Sequence, residues 1–521
     1  MTTPTQPTAP SATSASLTAT RLLARNVVLN LIGWALPALL AVVAVPPLVR
    51  ALGVERFGVL SLAWTLIGQF SLLDLGLSRA LTQVVSERIA HAEDAEVPGL
   101  VHAALLVMLG AGCAAGVAVA AAAPWLVTHA MHASPSLWPD ALAAVRWLAV
   151  AVPIVVVSAG CRAVLEALQR FDWINALRLP LGMATVLAPL VSVRFSHAVA
   201  PAIALLVAAR ALLALAHAWA LARAYPPVRR SHALPWRAVR ALLGYGGWMT
   251  VSNVLNPLLV TGDRFVISGL ISVAALTYYA TPQELVTKLW LFTSALLPVL
   301  FPAVAATYRS APERAALLYE RAARVTLLCL FPPVLAGLLF APEGLRLWLG
   351  QDFATRSAAL TRVLLLAVFV NTVGQSAYTV VQAARRPDVT GKLHLAQIVP
   401  YGLALAWAVP RHGLLGAAVV WGARVVVDSA LSFVAAGWLL PAARRVTVRC
   451  ASYLAALCVT AAVLTWIAPP SVAGRALLLG GTLLCFAWLA WRWLLAAHER
   501  ALVVARVSRV ADRAPVLDTP R

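Results

Sequence analysis

Long apolar runs, repeated along one chain, leave little choice of fold. The stretches 27–49, 57–73, 100–123 and 475–493 are nearly free of charge. A helix needs about 20 such residues to cross a hydrocarbon core. In lipid every backbone amide and carbonyl must be bonded within the chain, so spans are helices or closed barrels. A barrel would alternate apolar and polar residues in segments of about ten. These runs are continuous, so they are read as helices. Composition agrees: 61% of the 521 residues are hydrophobic and 12% are charged, against about 25% charged in soluble domains.

Fourteen candidate spans follow: 27–49, 57–78, 100–123, 143–163, 177–193, 199–222, 241–270, 276–306, 322–340, 359–382, 393–410, 413–440, 451–468 and 474–496. Residues 1–24 form a Thr/Ser/Ala/Pro leader of disordered composition without the basic start of a cleaved signal peptide. The longest loops, around 79–99 and 223–240, are too short for a separate soluble domain. With the N-terminus placed in the cytoplasm, 27 Lys and Arg fall on that side and 10 on the other. The positive-inside rule therefore puts both termini in the cytoplasm. It also explains most of the net charge of +21, which is spread over many loops rather than gathered for nucleic acid. Catalytic and metal-binding patterns are not evident. The six cysteines lie mostly inside spans and form no CxxC pair, as small buried hydrophobes do.

An internal repeat organises the chain. "GW" at 33–34 returns at 247–248, and "LAAVRWLAVAV" around Arg146 matches "AALTRVLLLAV" around Arg362. "EALQRFDWINAL" (166–177) matches "QAARRPDVTGKL" (382–393), and Arg210 matches Arg424; every offset is 214–216 residues. An even number of spans per repeat makes the repeats parallel. The expected architecture is an all-α polytopic membrane protein with two parallel-repeat six-helix bundles around a central cavity, plus two C-terminal helices. The expected divisions are the leader 1–24, a first lobe 25–222, a basic linker 223–240, a second lobe 241–440, added helices 441–496 and a basic tail 497–521. Two-lobed repeats of this kind move substrates by rocking about a site at their interface.

Ionisable residues at membrane depth are expensive and usually face a pathway. "SLLDLGLSRAL" carries Asp74 and Arg79; "VTGDRFVIS" carries Asp263 and Arg264; "PQELVTKLWLF" carries Glu284 and Lys288. For Asp74 and Arg79 an interfacial ion pair with a snorkelling arginine is an equal reading. The spans around them are interrupted at Pro37, Pro46-Pro47, Pro257, Pro282, Pro298 and Pro302, and Asn26 and Asn30 are loosely matched by Asn253 and Asn256. Pro-broken helices at matching places in two halves point to a transport site. Arg210, Arg424 and Asp428 form a second set, read as coupling or paired charges. The acids could carry a coupling proton or sodium ion, or simply balance the nearby cations; no other cofactor is indicated.

Three stretches, "RNVVLNLIGWALPALLAVVAVPPLVRALGVERFGVLSLAW" (25–64), "DLGLSRALTQVVSE" (74–87) and "GDRFVISGLISVAALTYYATPQEL" (262–285), resemble the polysaccharide-repeat-unit flippases of the multidrug/oligosaccharidyl-lipid/polysaccharide exporter superfamily. The later "GLLGAAVVWGAR" (413–424) is similar more loosely, and the resemblance spans roughly 21–440. It implies two six-helix bundles in a V, with the first, second, seventh and eighth helices lining a cavity. It implies a substrate too: an oligosaccharide on undecaprenyl pyrophosphate, crossing a bacterial inner membrane for O-antigen, capsule or exopolysaccharide assembly. Implied partners are that lipid-linked oligosaccharide, membrane lipids, a polysaccharide polymerase and a chain-length regulator. Arg79, Arg264 and Lys288 would neutralise the anionic head. Other readings stay open at this point: a peptidoglycan lipid-precursor flippase, a multidrug or cation antiporter of the same superfamily, and a membrane glycan polymerase or ligase.

Overall fold

A computed structural model describes residues 12–70, 76–90, 96–230, 259–384, 386–494 and 500, with side chains described from residue 35 onward except at 79, 90, 298, 299, 302, 387, 493 and 494. Among the described residues the chain is helix and turn, without strands. The helices are α1 (Ala12–Gln69), α2 (Leu77–Ala90), α3 (Val97–Trp125), α4 (Trp138–Ala167), α5 (Phe171–Ser192), α6 (Val199–Ala224), α7 (259–270), α8 (Val273–Val286), α9 (Trp290–Thr307), α10 (Pro312–Leu349), α11 (Gln351–Ala383), α12 (Pro387–Leu439), α13 (Arg444–Trp466) and α14 (Val472–Leu489). Ten of them are long and apolar enough to cross a membrane, so this is a multi-pass membrane protein.

Two of these helices carry two expected spans each. α1 breaks at Gly53, with φ +76°, and α12 at Gly413, with φ +58°. A Cβ makes such φ values costly, so glycine is the residue that lets each helix end and the chain turn. The arms then fold back: Gln397 of the first arm of α12 donates to Asp428 of the second at 3.1 Å. The eighth expected span, 276–306, is divided into α8 and α9 by a 3₁₀ turn at Thr287–Leu289. Pro282, lacking an N–H, cannot bond the carbonyl one turn earlier. Ser357 Oγ of α11 donates to that carbonyl, Tyr278 O, at 2.7 Å.

One expected loop is helical. Residues 79–99 begin with α2, an amphipathic continuation of the second span. Leu77, Ala80, Leu81 and Val85 are fully buried along one face, the 3–4-residue spacing of a helix stripe. Thr82 and Ser86 donate to Ala163 O and Ala167 O of α4, at 3.0 and 3.5 Å. Hydropathy alone ends the span at 78 because the outward face is polar.

α1 through α6 pack on one another, as do α8 through α12, and α13 and α14 lie against α10. α14 is anchored by Arg475, which donates to Glu343 at 2.6 and 3.0 Å, while Leu477, Leu484 and Trp488 stay exposed as lipid-facing residues do. Turns expected on one face of the membrane are tied together: Arg56 lies 3.3 Å from Asp140, and Asp140 accepts from the amides of Val199 and Ala200 at 2.9 Å. The repeat recurs at atomic detail. Arg170 makes a two-pronged pair with Asp172 at 3.0 and 2.8 Å; Arg386 does the same with Asp388 at 2.9 and 3.0 Å, 216 residues later.

The halves meet where α1 packs on α8 and α9. Beside the Gly53 turn, Thr277 Oγ1 donates to Val54 O at 2.7 Å, and about three turns earlier in α1 Val42 O accepts from Trp348 Nε1 at 2.7 Å. Gly58 makes this approach possible, since a Cβ there would stand 2.2 Å from Val273 O. Gly58→Ala is therefore expected to part the lobes at this end. Cysteine pairs placed across α1 and α8 should cross-link several-fold more slowly in the variant; unchanged cross-linking would contradict this.

Candidate functional site

The charged residues at bilayer depth are assembled by two neighbouring helices. α8 presents Tyr279 and Gln283, four residues apart on one face of the helix, and the adjacent Glu284 toward α7. Asp263 is fully buried. It accepts from Tyr279 Oη, from Gln283 Nε2 at 3.1 Å and from the Arg264 amide at 3.0 Å. A buried carboxylate is tolerated when it is bonded in this way. Arg264 is also buried. Its Nε donates to Gln283 Oε1 at 3.0 Å; its Nη1 reaches Glu284 Oε1 at 3.0 Å and Thr65 Oγ1 at 2.8 Å. Thr65 belongs to α1, so the last bond crosses between the lobes.

Beside this network is a cavity of about 240 Å³, lined by Arg264, Glu284, Lys288, Trp290, Trp421 and neighbouring residues of α7. Lys288 sits in the 3₁₀ turn and makes no ion pair among the described residues. The buried indole N–H of Trp290 has no acceptor among the described residues. Glu284 and Lys288 also line a narrow gap between the lobes, with Ser61, Trp64 and Trp348. The two residues thus stand on the wall between the second-lobe cavity and the cleft.

The structure brings together Asp263, Arg264, Glu284 and Lys288, with Asp263 behind the cavity wall rather than on it. Arg424 does not line the cavity but lies over the rings of Tyr401 and of Trp421, the latter one of its lining residues. Asp428 pairs with Gln397 at 3.1 Å and His394 at 3.5 Å. Arg210 lines a separate first-lobe cavity. Asn26 and Asn30 lie on α1 and Arg79 on α2, with side chains outside the described residues; Asp74 and Asn253 are outside them altogether. Sequence reasoning passed over Thr65, Tyr279, Gln283 and Trp421. Tyr279 and Gln283 carry a signal, being polar residues one turn apart in an apolar helix; Thr65 and Trp421 carry none, since their partners are distant in the chain.

The family model for "Polysaccharide biosynthesis protein" matches residues 48–358, more than half of the chain. The chain belongs to this polysaccharide biosynthesis family. It is 28% identical over 412 residues to a Shigella flexneri protein described as "Putative O-antigen transporter", covering 78% of this chain and 96% of the relative. Among solved structures, a "Lipid II flippase MurJ, inward closed conformation" aligns with a TM-score of 0.67 at 12% identity, over 89% of this chain and 99% of that one. An inward-facing multidrug resistance MATE family transporter of the MOP superfamily aligns with a TM-score of 0.65 at 15% identity, over 78% and 95%. This chain thus shares its fold with those transporters, and the Arg264 network lies where its two lobes meet.

Proposed function

We propose that this member of the polysaccharide biosynthesis family is a flippase. It moves an oligosaccharide unit carried on undecaprenyl pyrophosphate from the inner to the outer leaflet of a bacterial inner membrane by alternating access. The single observation that carries the reading is Lys288: an intramembrane cation that makes no ion pair within 4 Å among the described residues, near Glu284 and an indole N–H with no acceptor among those residues, on a cavity wall that borders the cleft. A pyrophosphate needs cations and N–H donors, and an anion cannot cross hydrocarbon bare. Family membership and the relative's description as an O-antigen transporter support the sugar-bearing cargo.

In this reading both termini are cytoplasmic, as the basic-residue asymmetry requires, and 25–222 and 241–440 are the rocking lobes. The hydrogen bonds near Gly53 then close the outer end. Polymerase and chain-length regulator act on the product outside. Asp263, Glu284 and Asp428 are the carboxylates available for proton or sodium coupling, and each is held by fixed partners.

Deleting the gene in its host tests the assignment. The expected result is accumulation of the lipid-linked repeat unit on the cytoplasmic leaflet and loss of one surface polysaccharide, reversed by the plasmid-borne gene. Accumulation of the peptidoglycan precursor instead would move the assignment to the other flippase class.

A further inference from the structure

The two lobes carry the same arginine in different company. In the second lobe Arg424 lies 5.7 Å from the ring centre of Tyr401 and 5.9 Å from that of Trp421, with the Asp428 carboxylate one turn along the same helix. At the repeat offsets of 216, 214 and 214, the first lobe has Thr185 for Tyr401, Val207 for Trp421 and Ala214 for Asp428. Two rings and a carboxylate are replaced by three small, uncharged side chains.

Arg210 lines a first-lobe cavity of about 140 Å³ together with Arg162, Ser158 and Gly68, among others. Arg210 makes no ion pair among the described residues. Its contact with Thr185 Oγ1 is long, at 3.5 Å, and its buried Nε, like that of Arg424, has no acceptor among the described residues. Arg162 is half exposed and lies 3.6 Å from Glu166, so it forms the rim. A buried guanidinium without a counter-charge is costly, and cations at membrane depth are found paired.

We propose that this first-lobe cavity is an anion site for a phosphate group, held by the fork of Arg210 with help from Arg162 and the Ser158 hydroxyl. Guanidinium binds phosphate through two parallel N–H···O bonds. The cavity is several times the roughly 10–15 Å³ that one water needs on the same measure, which suits a group with several oxygens better than a halide. The group could be the headgroup of an anionic phospholipid or a free phosphate. The site shares no lining residue with the Lys288 cavity and does not rest on the transport reading.

The test uses the full chain. Ala214→Asp places a carboxylate one turn from Arg210 on the same helix, within reach of an i,i+4 pair; Arg210→Gln removes the cation. If free phosphate is the ligand, inorganic phosphate at matched ionic strength raises the melting temperature of the wild type in detergent. Both variants then need at least about tenfold more phosphate for the same rise, and Lys288→Ala responds like the wild type. If a lipid is the ligand, phosphate has little effect, and native mass spectrometry after reconstitution in phosphatidylglycerol shows one more retained lipid on the wild type than on either variant. Equal phosphate response and equal lipid retention in wild type and Ala214→Asp would overturn the proposal, including when Arg210→Gln fails to insert.

Discussion

Arg264→Ala is expected to lose most of its folded protein from the membrane. The Arg264 side chain holds Glu284 and Gln283 and reaches Thr65 across the lobes, and its charge lies beside Asp263. Removing it leaves Glu284 and the fully buried Asp263 without their cation. Breaking one partner out of a buried pair costs about 3–5 kcal/mol, a large share of the 5–15 kcal/mol that holds a protein together. Immunoblotting of membrane fractions and a thermal melt of the purified variant measure this. Arg264→Lys keeps the charge but loses the fork, and should fall between wild type and alanine. A normal protein level in Arg264→Ala would show that the network does not stabilise the fold. This revises what position in the sequence suggests, namely a cation reserved for substrate: the structure shows most of its donors already engaged within the protein.

Lys288→Ala is expected to separate transport from folding. Lys288 makes no ion pair among the described residues, so its loss leaves no carboxylate stranded in a tight pair, and the protein level should stay near that of the wild type. Export should fall by about ten- to a hundredfold if the ammonium meets phosphate, because a hydrogen bond to a charged group contributes about 1.5–3 kcal/mol. Lys288→Arg should recover much of the activity and Lys288→Glu none. Arg309→Ala and Arg445→Ala, both exposed, serve as controls with normal export. Measuring surface polysaccharide per molecule of membrane protein checks the series. Full export by Lys288→Ala would remove this cavity from the substrate path.

The sequence by itself determined the solvent of this protein, its helices, most of their limits and the duplication. Backbone groups cannot go unbonded in lipid, so the apolar runs had one local solution. The Arg170–Asp172 and Arg386–Asp388 pairs repeat because their geometry is local, set by residues two apart at a helix start. Gly53 and Gly413 likewise mark turns through a property of one residue. The tertiary structure alone decided how each helix is rotated. In a soluble helix an apolar stripe tells which face is inside. Here lipid and protein interior are equally apolar, so α14 with its exposed leucines and α11 with its buried ones read alike. For that reason Asp263, Arg264, Glu284 and Lys288 were legible as unusual, but their division of labour was not. Whether Arg264 points to Thr65, 199 residues away, or into an empty cleft depends on helix rotation, and so does the difference between Arg424, laid over two rings, and Arg210, which lines a cavity.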